Sequence, residues 1–243
     1  AYDDNLTDYR DTIPQLFVPN CFVLLSNGGE AKVGATFAPW EFFGDWTVID
    51  AAGSRGKVAL ETALRGTCDP AILLDLFENF VAFMERPGGL IKNVARSHQY
   101  LGVNAAIDNL HRARAEQDKR LGVFWHTQGS GKSMEMELYA HAVSRQPKLK
   151  NPTLVVVTDR TELDSQLVAA FNRSQLLAES PINVTTRKQL REELTNRVTG
   201  GIYFTTLQKF GLTGKEREAG LDHPLLTDRR NIIVIVDEAH RSH

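Results

Sequence analysis

Residues 154–157 (LVVV) and Ile232–Val236 (IIVIV) are apolar at every position. A strand with one face in water alternates apolar and polar side chains, because successive Cβ atoms point to opposite faces. Runs without that alternation belong to strands covered on both sides, as in parallel sheets packed between helices. Two more β-type runs, residues 122–125 and 202–204, alternate with helical stretches such as 131–144. Thr161-Glu162-Leu163-Asp164 offers a capping arrangement ahead of Leu167 and Phe171. From about residue 121 onward the expectation is therefore α/β: a parallel sheet with flanking helices.

The first part of the chain has a different pattern. Residues 21–26 and 31–37 are β-rich and flank Asn27-Gly28-Gly29, which predicts a hairpin. Asp69 before Pro70 reads as a helix cap followed by proline at the first helical position. Ile72, Leu73, Leu76, Phe77, Phe80, Val81 and Met84 then repeat at helical spacing up to Pro87, predicting one helix buried on a broad face. Ser97 is placed to cap a second helix through about Glu116. A smaller α+β segment containing a hairpin thus precedes the α/β part.

Composition narrows the classes. With 28 Lys and Arg against 30 Asp and Glu, the net charge is −2, which excludes a basic nucleic-acid tail. At 42% hydrophobic and 24% charged, the chain has the makeup of a folded protein. Cys21 and Cys68 lie far apart with no Cys/His clustering, so neither a disulfide framework nor a zinc site is indicated. The opening residues are acidic and polar, and no apolar run approaches the roughly 20 residues that span a bilayer. A cytoplasmic location without a membrane segment is expected.

The chemistry concentrates in two places. His126-Thr127-Gln128-Gly129-Ser130-Gly131-Lys132-Ser133 follows one β-type run and opens a predicted helix, the context that gives a Walker A phosphate loop its meaning. Thr127, Gly129, Ser130 and Gly131 would turn backbone amides onto phosphate oxygens. Lys132 would reach the β and γ phosphates of ATP, and the Ser133 hydroxyl would ligate Mg²⁺. The full pattern has Gly where His126 stands, so the match is to the shorter GxGK[ST] core. The second place is the end of the IIVIV run, where Asp237 and Glu238 are delivered side by side, followed by Ala239 and His240. Open α/β sheets bind ligands at this end of their strands. Asp237 would hold the Mg²⁺, and Glu238 would orient and help deprotonate an attacking water. Glu30 and Lys32 share a strand face in the E-x-K spacing of metal-dependent nucleases, but no Pro-Asp partner precedes them and the reading is set aside.

FWHTQGSGKS, VVVTDRTELDSQL, FTTLQKF and VIVDEAHRSH together resemble the successive motifs of superfamily 2 helicases. Within these they resemble the R (restriction, motor) subunit of type I restriction-modification enzymes. NCFVLLSNGGEAKVGA, NF and HQY are similar to that subunit's stretch between nuclease and motor, so the resemblance covers nearly the whole chain. It implies ATP-driven translocation on double-stranded DNA by two RecA-like lobes, with a separate nuclease domain that cleaves unmethylated foreign DNA. It also implies methyltransferase and specificity subunits as partners. By the same resemblance, Gln99 takes the place of a glutamine that hydrogen-bonds adenine. Arg160 and the segment Thr205, Thr206, Gln208 and Lys209 take the places of nucleic-acid backbone contacts, and His240 that of a residue coupling nucleotide state to the DNA groove. Residues 1–90 would be the tail of the nuclease domain with a linker, and 91–243 the first RecA-like lobe. The ATP motifs taken alone also fit a general superfamily 2 helicase or remodeller acting on DNA or RNA.

The sequence starts without Met and stops directly after the acidic motif. The expectation is a piece of a longer chain, with nuclease carboxylates, second lobe and arginine finger elsewhere. An arginine finger is worth roughly 10³ to 10⁵ in rate for related phosphoryl transfers. These residues in isolation should accordingly bind ATP weakly and turn it over negligibly; hydrolysis assays with and without DNA check this, and DNA-stimulated turnover would contradict it.

Overall fold

A computed structural model describes residues 2–86, 89–127, 129–159 and 161–237. The chain divides into two compact units, Ala1–Ala142 with Ser174–Leu176, and Val143–Arg173 with Leu177–His243.

The first unit opens with a π-helical turn, Tyr2–Leu6, and helix α1, Thr7–Thr12. Strands β1 (Phe22–Ser26) and β2 (Ala31–Ala35) pair antiparallel, from Phe22 opposite Ala35 to Ser26 opposite Ala31. The turn closes as expected. Gly28 takes φ +93, the Glu30 amide donates to Asn27 Oδ1 at 2.8 Å, and the Gly28 amide donates to Ser26 Oγ at 2.9 Å. Leu6, Phe17, Ala35, Ala38 and Phe43 form the core beneath this hairpin. Lys32 pairs with Asp45 at 2.9 Å.

Helices α2 (Ala59–Thr67) and α3 (Pro70–Asn79) follow. Asp69 caps α3, accepting from the amides of Ala71 and Ile72, with Pro70 at the first helical position. The helix expected to run to Pro87 ends at Asn79. Val81–Arg86 is instead strand β3, paired antiparallel with β4, Gly89–Val94. Phe80 and Ala82 are buried while Phe83 is partly exposed, so burial here follows the period of two of a strand. The broad buried face is not found either: Leu76 is buried, but Leu73, Leu74 and Phe77 are exposed. Helix α4 (Ser97–Glu116) ends where expected, with Ser97 inside the first turn. The α4 start is satisfied by Gln99 Oε1, which accepts from the Arg96 amide at 2.9 Å, and Ser97 Oγ instead meets Thr47 Oγ1 at 3.0 Å. Residues 122–125 do not form the expected strand. Val123 and Trp125 are 88% and 90% exposed, and among the described residues no strand pairs with them. Without a neighbour to complete its hydrogen bonds, an apolar run has no reason to hold a strand. Helix α5 (Lys132–Ser144) begins in this unit.

The second unit is built on a four-stranded parallel sheet. Its strands are β5 (Thr153–Thr158), β6 (Ile182–Asn183), β7 (Ile202–Thr206) and β8 (Ile232–Val236), in the order β6-β7-β5-β8. Helix α6 (Thr161–Arg173) precedes β6; its capping tetrad has side chains outside the described residues, as does Arg160. Helix α7 (Arg187–Asn196) follows β6, with Thr186 Oγ1 accepting from the Gln189 amide, and α8 (Gly214–Glu218) follows β7. One sheet face packs on α7, where Val155, Val157 and Tyr203 meet Leu190 and Leu194. On the other face Phe204 meets Phe171 of α6 edge-on, with ring centroids 4.9 Å apart. All residues of β5 and β7 are buried, the apolar runs 154–157 and 202–204 together with the threonines that flank them. The β8 strand is apolar throughout but among the described residues pairs only with β5, and its Val234 and Val236 are about half exposed. The parallel sheet flanked by helices is a RecA-like α/β arrangement, preceded by the antiparallel hairpins of the first unit.

On α8, Glu216 caps the helix start and is gripped by Arg191 of α7 at 2.5 and 3.1 Å. The Arg191 guanidinium, with the Thr213 amide and hydroxyl, lowers its pKa from 4.5 to about 2. A carboxyl depressed by folding stabilises the native state above its unfolded pKa and loses that contribution as pH falls through the folded one. Glu216→Gln should therefore lower stability at pH 7, with the difference from the parent shrinking below pH 4.5 and disappearing near pH 2. Urea unfolding at stepped pH checks it.

Candidate phosphate-binding site

The loop that joins residues 122–125 to α5 has the backbone its glycines call for. Gly129 and Gly131 take φ +80 and +88, the left-handed region that glycine enters without steric cost. The Ser130 amide donates to the Thr127 carbonyl at 3.3 Å, closing a turn, and the Glu135 amide donates to the Gly131 carbonyl at 3.1 Å, starting the helix. Lys132 and Ser133 occupy the first two positions of α5, both exposed. Free amides and the positive end of the helix dipole converge there with an ammonium and a hydroxyl. That donor set suits a phosphate ester and the divalent cation accompanying it.

Helix α4 grips this loop from behind. Gln99 is 4% exposed, and its Nε2 donates to the Gly131 carbonyl at 3.1 Å while its Oε1 takes the Arg96 amide. Both ends of its amide are thus engaged by the chain's own backbone. His98 Nε2 lies 3.0 Å from the Ser130 carbonyl; a carbonyl only accepts, so Nε2 carries the proton. Burial pulls His98 below the ordinary histidine range, opposed by that hydrogen bond.

Sequence reasoning missed a second layer. His126 Nδ1 donates to Glu135 Oε2 at 2.8 Å, and the His126 and His98 rings meet edge-on at 5.0 Å. Glu135 is 3% exposed. Burial raises its pKa, while His126 and then Lys132 pull it back. No stripe in the sequence marks it, because Glu137, Ala140 and Val143 are as buried as Glu135, Leu138 and Tyr139, so α5 is covered on more than one face.

In the second unit, parallel pairing brings the candidates Thr206 and Asp237 to one sheet edge, beside Thr158. Thr158 stands opposite Thr206 at the ends of β5 and β7, and Asp237 directly follows β8, its amide donating to the Val157 carbonyl at 2.9 Å. Glu238 and His240, like Arg160, lie outside the described residues. Thr205 and Thr206 are 0% and 3% exposed, so their hydroxyls face the interior of the protein. Gln208 is exposed, and Lys209 Nζ donates to the Val184 carbonyl.

The two loop glycines separate conformation from contact. A Cβ on Gly131 would lie 2.8 Å from Gln99 Nε2, whereas one on Gly129 meets nothing within 4 Å. Gly129→Ala should cost the left-handed penalty alone, about 1–2 kcal/mol, and Gly131→Ala measurably more. Denaturant unfolding of both variants reads the difference.

The chain is 44% identical over 241 residues to the type I restriction enzyme HindI endonuclease subunit of Haemophilus influenzae, an alignment covering 96% of this chain and 22% of that protein. It is 32% identical to the putative type I restriction enzyme MjaIXP endonuclease subunit of Methanocaldococcus jannaschii, over 100% of this chain and 24% of the relative. A third relative, the SsaAORF53P endonuclease subunit of Staphylococcus saprophyticus, is 30% identical over 60% of the chain. The chain spans less than a quarter of the length of the first two relatives. The profile of the SWI2/SNF2 ATPase family matches residues 98–243, beginning at the histidine that holds the phosphate loop, and the chain belongs to that family.

Proposed function

We propose that this chain carries the ATP-binding half of the motor in a type I restriction endonuclease subunit. The whole protein would be an ATP-dependent translocase on double-stranded DNA that cleaves unmethylated foreign DNA in the cytoplasm. The observation that carries this reading is the phosphate loop: left-handed Gly129 and Gly131, and exposed Lys132 and Ser133 at the helix start. It occurs in a chain similar over 96% of its length to such a subunit.

In this reading residues 91–243 form the first RecA-like lobe and 1–90 the tail of a nuclease domain with its linker. The amides of Thr127, Gly129, Ser130 and Gly131 would hold the ATP phosphates and Lys132 their charge. Ser133 and Asp237 would hold Mg²⁺, which supplies neutralisation of the charge that develops on the transferring phosphoryl group. Glu238 would orient the attacking water and accept its proton. Gln99 would add an adenine contact only by releasing the Gly131 carbonyl or the Arg96 amide it now binds. Arg160, Gln208 and Lys209 would meet the DNA backbone, as polar and cationic groups do when binding is independent of sequence. Thr205 and Thr206, whose side chains are buried, would contribute through backbone groups. His240 would couple nucleotide state to the DNA groove, and methyltransferase and specificity subunits would complete the assembly. No helix among the described residues is long and apolar enough to cross a membrane.

A second reading, a general helicase or remodeller, is favoured by the family match itself. Lys132→Ala in the full-length protein tests the motor. ATP hydrolysis and strand displacement from a DNA triplex should both be lost, while the variant still assembles with its partner subunits. Unchanged translocation would refute a motor role; lost translocation without any DNA cleavage by the parent would favour the second reading.

A further inference from the structure

Helix α5 turns Glu135, Leu138, Tyr139 and Ala142 inward, and an acid among them calls for a reason. A carboxylate leaves water at a penalty unless a partner compensates. The structure provides one partner and a made-to-measure space. His126 Nδ1 donates to Oε2, and on α4 Gly102 leaves room for the other oxygen: a Cβ there would lie 2.5 Å from Glu135 Oε1. Among the described residues Oε1 itself has no hydrogen-bond partner, and the side chain makes its one bond to the residue standing where the phosphate-loop pattern has glycine.

The loop around them is held at separate points. Helix α4 holds its crown, through His98 to the Ser130 carbonyl and Gln99 to the Gly131 carbonyl. Its first residue, His126, reaches none of those carbonyls. It packs edge-on against His98 and bonds to Glu135 in the first turn of α5. A glycine at this position would need no such anchor, because it has no side chain to place.

We propose that Glu135, acting through His126, is a positioning residue for the phosphate loop. Its carboxylate holds the imidazole that replaces the usual glycine, and so ties the loop's first residue to the helix whose start binds phosphate. The inference rests on the nucleotide-binding reading above and deepens it: Lys132 and Ser133 project from the same turn as Glu135, so a slack tether misplaces the groups that meet the phosphates.

The test is a titration of the full-length protein with a fluorescent ATP analogue and Mg²⁺, with thermal unfolding measured alongside. Glu135→Leu should weaken affinity about tenfold or more, the scale on which small misplacements act. Glu135→Gln, which keeps an acceptor for His126 Nδ1, should recover most of that loss. His126→Gly removes the need for the tether, so adding Glu135→Leu to it should weaken binding no further. Gly102→Ala, a substitution a helix favours, should reproduce the weakening by displacing the carboxylate even if Glu135→Leu does not fold. Equal losses from Glu135→Leu with and without His126→Gly would overturn the proposal, as would Glu135→Gln binding as weakly as Glu135→Leu. Nucleotide binding that is lost in Lys132→Ala but indifferent to Glu135 overturns the tether alone. A parent protein that does not bind the analogue overturns the nucleotide reading and the tether together.

Discussion

The second unit depends on the parallel ladder around β5. That strand bonds to β7 on one edge and β8 on the other, and its buried residues fill both faces. A parallel strand in this position has neighbours on both faces, which is why Val155 and Val157 serve the α7 side while the alternate residues Leu154 and Val156 are buried on the opposite one. The parallel direction has a functional consequence. It sends the C-terminal ends of β5, β7 and β8 to the same edge, so Thr158, Thr206 and Asp237 emerge together although the chain separates them widely.

In the first unit the corresponding constraint is the polar tie behind the phosphate loop. A loop that offers its amides to an anion leaves its carbonyls facing its own protein, and these need donors. His98 and Gln99 at the start of α4 supply them at Ser130 and Gly131. Two adjacent residues of one helix thereby hold two adjacent carbonyls of the loop. Glu135 completes the arrangement from α5 by accepting a hydrogen bond from His126 Nδ1.

Elements set by one local rule are legible in the residues, and those where two rules overlap are not. The hairpin at Gly28, the cap at Asp69 and the helix starting at Lys132 each follow from a few neighbouring residues. Between Phe80 and Met84 the apolar positions fit a helix and a strand equally well. Pairing with β4 decided for the strand, because an antiparallel ladder completes the backbone hydrogen bonds that a longer α3 would have made internally. Residues 122–125 have the composition of a strand but no partner among the described residues. The threonines of β7 looked like polar contact residues, yet the strand they end is buried throughout. Glu135 escaped notice because its neighbour in the site, His126, precedes it by more than two helical turns' worth of chain.

Legible in the residues alone were the alternation of α and β, the parallel character of the sheet, and the loop whose glycines take the left-handed conformation. Each of these depends on side-chain periodicity or on backbone freedom, properties that neighbouring residues carry. The tertiary structure alone decided which apolar runs became strands, which threonines were buried, and that a histidine in place of glycine would find a carboxylate. Those outcomes depend on hydrogen-bond partners supplied by distant segments, and a partner has no position until the chain has folded.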